Sequence, residues 1–300
     1  MIELDGLTKR YRSRVAVDDL TVTVEPGRVT GFLGPNGSGK TTTMRCILGL
    51  TRPTSGTARV LGRPYRELAR PMRRVGALLD PRARHPNRTA HAHLLALAQS
   101  NALPRHRVDD VIGMVGLEPV AHERVRGFSL GMGQRLGIAA ALLGDPDVLL
   151  LDEPVNGLDP EGIRWVRELL RGLADEGRTV LVSSHLMSEM EDTADHLVVL
   201  GRGRLLADAP MDELLGAHAT VRVSSPQVRL LAPALQRAGG TVGVEGDGAL
   251  RVEGLGLADV GDVAFEVGAR VHELRRVTAS LEAAYLALTG DDVEYRAVAP

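Results

Sequence analysis

Two short stretches of this chain are apolar almost without interruption. Val148-Leu149-Leu150-Leu151 runs into Asp152-Glu153, and Thr179 to Ser183 is nearly all apolar or β-branched. Runs of this length without polar alternation predict strands buried on both faces, as in a parallel sheet. Between them, residues 161–175 read as a crossover helix, so strand, helix, strand predicts a right-handed parallel unit. Val29 to Leu33 is a further buried strand, followed by a helix pattern with Met44, Ile47, Leu48 and Leu50. Ile2–Leu4, Thr21–Val24, Thr57–Leu61 and Val75–Leu79 carry shorter strand signals. Residues 89–118 are helix-like, with Leu94, Leu95, Leu97, Val108, Val111, Ile112 and Val115 at helical spacing. An alanine-rich helix pattern ends at Leu143.

The pattern changes near residues 216–219. Beyond it, Thr220–Val223, Thr241–Val244, Leu250–Val252 and Arg270–Leu274 read as strands, and Val228–Arg237 and Leu257–Val267 as helices. That order is the β-α-β-β-α-β pattern of a ferredoxin-like module. A last helix is expected to start at Ser280 as its cap and stop at Gly290. Residues 220–300 hold no catalytic or cofactor cluster, so a packing or regulatory appendage is expected there.

The turn between Leu33 and the helix after it changes the picture from fold to chemistry. Gly34-Pro35-Asn36-Gly37-Ser38-Gly39-Lys40-Thr41 has the form G-x-x-x-x-G-K-[ST], between a buried strand and a helix. Glycines let backbone N–H groups turn toward phosphate oxygens, and the helix N-terminus adds donors and the positive end of its dipole. Lys40 supplies a point charge for the β- and γ-phosphates, and the Thr41 hydroxyl, followed by Thr42, can ligate Mg²⁺. Lys9 and Lys40 are the only lysines among 36 basic residues. The first substrate is therefore read as a nucleoside triphosphate.

Composition narrows the rest. Hydrophobic residues make up 44% and aromatics 3%, which predicts an aliphatic core. A formal net charge of −2 gives no electrostatic reason to expect nucleic acid as partner. One cysteine, Cys46, rules out an internal disulfide, and it reads as a small buried residue. His85, His91 and His93 lack metal-ligand spacing and read as solvated. The N-terminus has no signal pattern, and no stretch approaches the roughly 18 apolar residues of a membrane span. A soluble, cytoplasmic protein is the expectation.

Asp152, at the end of its strand, is placed to hold Mg²⁺ through water. Glu153 points the other way on a pleated strand and can act as base or positioner for an attacking water. Phe128-Ser129-Leu130-Gly131-Met132-Gly133-Gln134-Arg135 then precedes the alanine-rich helix. This segment resembles the signature of the ATP-binding-cassette (ABC) family, commonly Leu-Ser-Gly-Gly-Gln. Ser129 and Gly131 match, while Leu130 and Met132 depart. The resemblance covers residues 1 to about 215 and is greatest to the exporter-type, drug-resistance subfamily.

That resemblance implies an α/β nucleotide-binding domain over residues 1–217, with a helical subdomain at about 85–145, and the small α+β domain over 220–300. It gives Tyr11 the role of stacking on adenine and Asp159, in Asn156-Gly157-Leu158-Asp159, a place at a dimer interface. His185 matches the switch histidine that contacts the γ-phosphate. Asp80 stands where the family usually has glutamine; a carboxylate only accepts hydrogen bonds, so it either strengthens a metal link or repels phosphate. The implied cofactors are ATP and Mg²⁺. The implied partners are a second copy, its Ser129 and Gly131 closing on the ATP of the first, and a separate multi-span permease that holds the chain at the inner face of the membrane. Residues 81–101 are the expected docking surface for that permease. Substrate identity and the role of residues 220–300 stay open. Two other readings also stay open: a soluble cassette ATPase acting on a non-membrane partner, and a nucleotide-dependent regulator without turnover. A single P-loop, no sustained heptad run, and the presence of Glu153 and His185 weigh against them.

Overall fold

The computed structural model describes residues 1–217, 220–246, 248–277 and 280–289. Its elements run β1 (Ile2–Tyr11), β2 (Arg14–Val24), β3 (Arg28–Leu33), α1 (Lys40–Ile47), β4 (Ser55–Val60), β5 (Val75–Leu78), α2 (Ala90–Ser100), α3 (His106–Met114), α4 (Leu130–Leu142), β6 (Val148–Asp152), α5 (Pro160–Asp175), β7 (Thr179–Ser184), α6 (Met187–Thr193), β8 (His196–Gly201) and β9 (Arg204–Pro210). They continue as α7 (Met211–Ala217), β10 (Thr220–Ser224), α8 (Val228–Arg237), β11 (Thr241–Val244), β12 (Leu250–Glu253), α9 (Leu257–Glu266), β13 (Glu273–Val277) and α10 (Leu281–Thr289). The chain divides into two compact units between Pro210 and Met211, so α7 groups with the second.

In the first unit a six-stranded sheet has the order β5-β6-β7-β3-β8-β9. Its first five strands are parallel, and β9 is antiparallel to β8. Every residue of β6, β7 and β8 is buried, which is why their central positions are apolar, with polar residues confined to the strand ends. Helix α5 crosses between β6 and β7. Asp159 caps it, Pro160 opens it, and Val166, Leu170 and Leu173 are buried on one face. A second sheet, β2-β1-β4, is antiparallel, and β2 alternates buried and exposed over its second half. Helices α2, α3 and α4 lie between β5 and β6 in the chain.

Several sequence expectations shift. Residues 89–118 form two helices rather than one stretch, because Thr89 caps α2 and Pro104 stands in the break before α3. Strands β8 and β9 were not anticipated; β9 mixes polar and apolar residues because it is the sheet edge. Strand β13 lies three residues later than expected, since its pairing places Leu274 opposite Val223 and leaves Val271 outside the ladder.

The second unit carries four antiparallel strands in the order β11-β12-β10-β13, with α8 and α9. Val221, Val223, Leu231, Leu235, Leu250, Val252 and Val260 form its core. Ser280 caps α10, accepting from the Ala283 N–H at 3.2 Å. The expected stop at Gly290 lies outside the described residues. Among the described residues no helix is long and apolar enough to cross a membrane.

Candidate active site

The P-loop leaves the sheet at the end of β3 and delivers the chain to α1, which begins without a capping side chain. Its first N–H groups therefore meet no side-chain acceptor from the protein. Gly39 has φ +107°, and a Cβ there would stand 2.5 Å from the Ala16 carbonyl, so the turn admits only glycine. Ser38 is buried, and its carbonyl accepts from the Gly203 N–H at 3.1 Å, tying the loop to the β8–β9 turn.

Lys40 is 6% exposed, and its ammonium donates to the Gly34 carbonyl at 2.5 Å and the Pro35 carbonyl at 3.2 Å. Burial pulls its pKa below 10.5, opposed by the negative charges of Glu153 and Asp152. The amine is thus held on loop carbonyls near two carboxylates, partly desolvated, in the lining of the P-loop cavity.

Asp152, buried at the end of β6, accepts from the Thr41 hydroxyl at 2.5 Å and from the Ser183 hydroxyl at its other oxygen. This hydroxyl–carboxylate pair is an all-oxygen donor set of the kind a small hard cation takes. No group of three or more His, Cys, Asp or Glu side chains suited to a metal occurs among the described residues. A cation here would need oxygens from its substrate and from water.

Glu153 does not continue the pleat. It leaves the strand with φ +51°, a left-handed conformation rare for a residue with a Cβ. The alternation argument for its direction is therefore replaced by a backbone turn. Its N–H donates to the Ser183 hydroxyl at 3.0 Å and the Ser183 carbonyl at 3.2 Å, and its carbonyl accepts from the Gln134 amide at 2.8 Å. Its carboxylate lies 2.7 Å from Nδ1 of His185, the residue after β7.

Tyr11, at the end of β1, is 47% exposed, with the Lys9 ammonium 4.9 Å from its ring centroid. Tyr11, Asn36, Gly37, Ser38, Gly39, Lys40, Thr41, Thr42, Asp152 and Glu153 line one cavity of about 360 Å³ together with Arg14 and Ala16. Arg14, Ser183 and Gln134 were not among the expected site residues. Arg14 has no motif around it, and Ser183 and Gln134 were read only as parts of longer motifs.

Other expected residues lie elsewhere. Asp80 follows β5, is exposed, and accepts from the Arg82 N–H at 2.8 Å. It lines a neighbouring cavity of about 550 Å³ that also reaches Thr41, Arg45 and Arg84. Ser129 and Gly131 do not line the P-loop cavity of their own chain. Ser129 caps α4, accepting from the Met132 N–H at 3.2 Å, and Asp159 caps α5, accepting from the Gly162 N–H at 2.9 Å.

The family described as ABC transporter matches residues 17–156, and a domain of unknown function (DUF8746) matches residues 219–282. An uncharacterized ABC transporter ATP-binding protein of Bacillus subtilis strain 168, YhcH, is 36% identical over 301 residues, covering 98% of this chain and 97% of the relative. The bacitracin transport ATP-binding protein BcrA of Bacillus licheniformis is 43% identical over 217 residues, covering 71% of each. A solved structure described as the ATP-binding subunit of an ABC transporter superposes with a TM-score of 0.65 at 27% identity, over 71% of this chain and 91% of that one.

Proposed function

The chain belongs to the ATP-binding proteins of ABC transporters and is an ATP-hydrolysing cassette, and from that premise we propose that it energises an exporter through a separately encoded, multi-span permease. The observation that carries the reading is the single cavity in which Lys40, Thr41, Asp152 and Glu153 converge at the mouth of the P-loop. Export follows the likeness of its signature segment to drug-resistance cassettes, and a relative named for bacitracin transport supports it. The chain would then sit at the inner face of the membrane, bound to its permease.

In this reading the N–H groups of residues 34–42 cradle the phosphates, Lys40 leaves the Gly34 and Pro35 carbonyls for phosphate oxygens, and Tyr11 stacks on the base. Thr41 and Asp152 would hold Mg²⁺, whose charge, when bound, offsets that of the phosphates. Asp80 shares the neighbouring cavity with Thr41, which supports a water-mediated link from the position that resembles the family's usual glutamine. Glu153 takes the proton of the attacking water. His185 steadies that carboxylate with Nδ1 and offers its other ring nitrogen to the γ-phosphate.

The site is composite. Ser129 and Gly131 lie away from their own P-loop cavity, which supports a head-to-tail dimer in which they close on the partner's ATP, with Asp159 at the interface. Binding of ATP favours the closed pair, and hydrolysis removes the bridging charge. The groove beside residues 81–101, lined by Leu48, Tyr65, Arg84 and Leu97, is the docking surface for the permease. The second unit is a ferredoxin-like accessory domain; its strand order, with the edge strands β11 and β13, supports this.

A mild-detergent pull-down of the tagged chain from its native membranes tests the reading. A stoichiometric multi-span membrane protein is expected. Recovery with ribosomes, with DNA or alone would favour a soluble ATP-driven switch.

A further inference from the structure

Glu153 is held in an unfavourable backbone conformation, and the groups holding it come from two different elements. The left-handed region is unfavourable for a residue with a Cβ, so its neighbours must fix it there. From β7, Ser183 takes the Glu153 N–H with both its hydroxyl and its carbonyl. From α4, Gln134 donates its amide to the Glu153 carbonyl at 2.8 Å. The peptide on each side of the Glu153 Cα is thereby pinned, and the direction of the carboxylate toward His185 follows.

Gln134 is 1% exposed, and its Oε1 has no partner among the described residues. Its one polar contact is therefore the bond to Glu153. A buried amide satisfied on one side does little for folding, and an apolar side chain of equal length would fill the space as well. Helix α4 also touches the same segment four residues on. Leu130 covers Gly157, where a Cβ would lie 2.2 Å from Leu130 Cδ2. The amide is thus delivered from a helix docked on both ends of residues 153–157.

We propose that Gln134 is a positioning residue for hydrolysis: its amide, reaching from the signature helix, fixes the Glu153 peptide and so aims the carboxylate. The proposal rests on the reading of Glu153 as the base. It also makes α4 a direct link between the signature segment and the water-activating carboxylate of its own chain.

Phosphate release, nucleotide affinity and thermal unfolding of the full chain test it, with Glu153→Gln measured alongside. Gln134→Met keeps length and removes the donor. Its kcat is expected to fall about tenfold, the scale of one such hydrogen bond, with ATP Kd within about twofold and a melting temperature lowered by no more than a few degrees. Gln134→Glu keeps the shape but donates only when protonated, so its rate relative to wild type rises as pH falls, whereas the Gln134→Met ratio stays flat. If Glu153→Gln hydrolyses like wild type, the base assignment fails and this proposal with it. If Glu153→Gln is inactive while Gln134→Met keeps its kcat, the positioning role alone is overturned. A Gln134→Met variant that loses affinity and melting temperature together shows a structural residue, which also overturns it.

Discussion

Gly157 sits beneath Leu130, in the segment that resembles the ABC signature, and the pair can be tested as a unit. Gly157 has φ +78°, so alanine there costs about 1–2 kcal/mol in backbone strain. Its Cβ would lie 2.2 Å from Leu130 Cδ2, 2.5 Å from Cγ and 3.2 Å from Cβ. Leu130 must move, and overpacking of this kind adds about 1–3 kcal/mol. Leu130 is half exposed and free to swing outward, which favours the lower end and gives a total of about 2–4 kcal/mol. With Leu130→Gly already in place the steric part disappears and only the strain remains, so the double-mutant cycle should show about 1–2 kcal/mol of coupling. Urea unfolding followed by fluorescence of Trp165 reads this out. Trp165 is the sole tryptophan, lies in α5 of the first unit, and has the Arg135 guanidinium 4.7 Å from its ring. An equal cost for Gly157→Ala in both backgrounds would refute the contact.

Lys40→Ala should weaken ATP binding about 10- to 100-fold, the scale of a lost charge-assisted contact; unchanged affinity by calorimetry would remove Lys40 from the phosphate site. Asp159→Ala removes the cap of α5 and should cost about 1 kcal/mol in urea unfolding; no change would mean that the Gly162 N–H is satisfied otherwise. Burial holds the Glu189 carboxyl above its ordinary 4.5, against the opposing pull of the Ser184 hydroxyl. With the folded pKa raised, the native state keeps the proton longer, so this contribution is full below 4.5 and is lost as pH rises through the folded value. Glu189→Gln should flatten that decline, and stability curves that stay parallel from about pH 4 to pH 7 would contradict the assignment.

The parts of this site that were legible in the sequence are those where local chemistry leaves little choice. The glycines and Lys40 of the P-loop are tied to their roles by backbone geometry and charge, and β6 and β7 announce themselves through short runs that are almost wholly apolar or β-branched. Glu153 was read as functional, but its direction was drawn from strand alternation. The left-handed turn that sets it has no signal in a glutamate and depends on Ser183 and Gln134, 30 and 19 residues away in sequence. Gln134 enters the sequence reading only as part of the signature segment; its burial comes from the tertiary docking of α4. Arg14 ends the short polar stretch Arg12-Ser13-Arg14 and carries no motif, and only the folding of β2 beside the P-loop brings it to the cavity. The same holds for β9, whose mixed sequence suits an edge strand and carries no alternation to find.

Light scattering of Glu153→Gln with and without Mg-ATP tests the central claim most directly. A carboxamide in place of the base should bind ATP without turning it over, and the composite site should then stay closed. The account predicts a species of twice 32.1 kDa in Mg-ATP and of 32.1 kDa without nucleotide. A monomer in both conditions would contradict it.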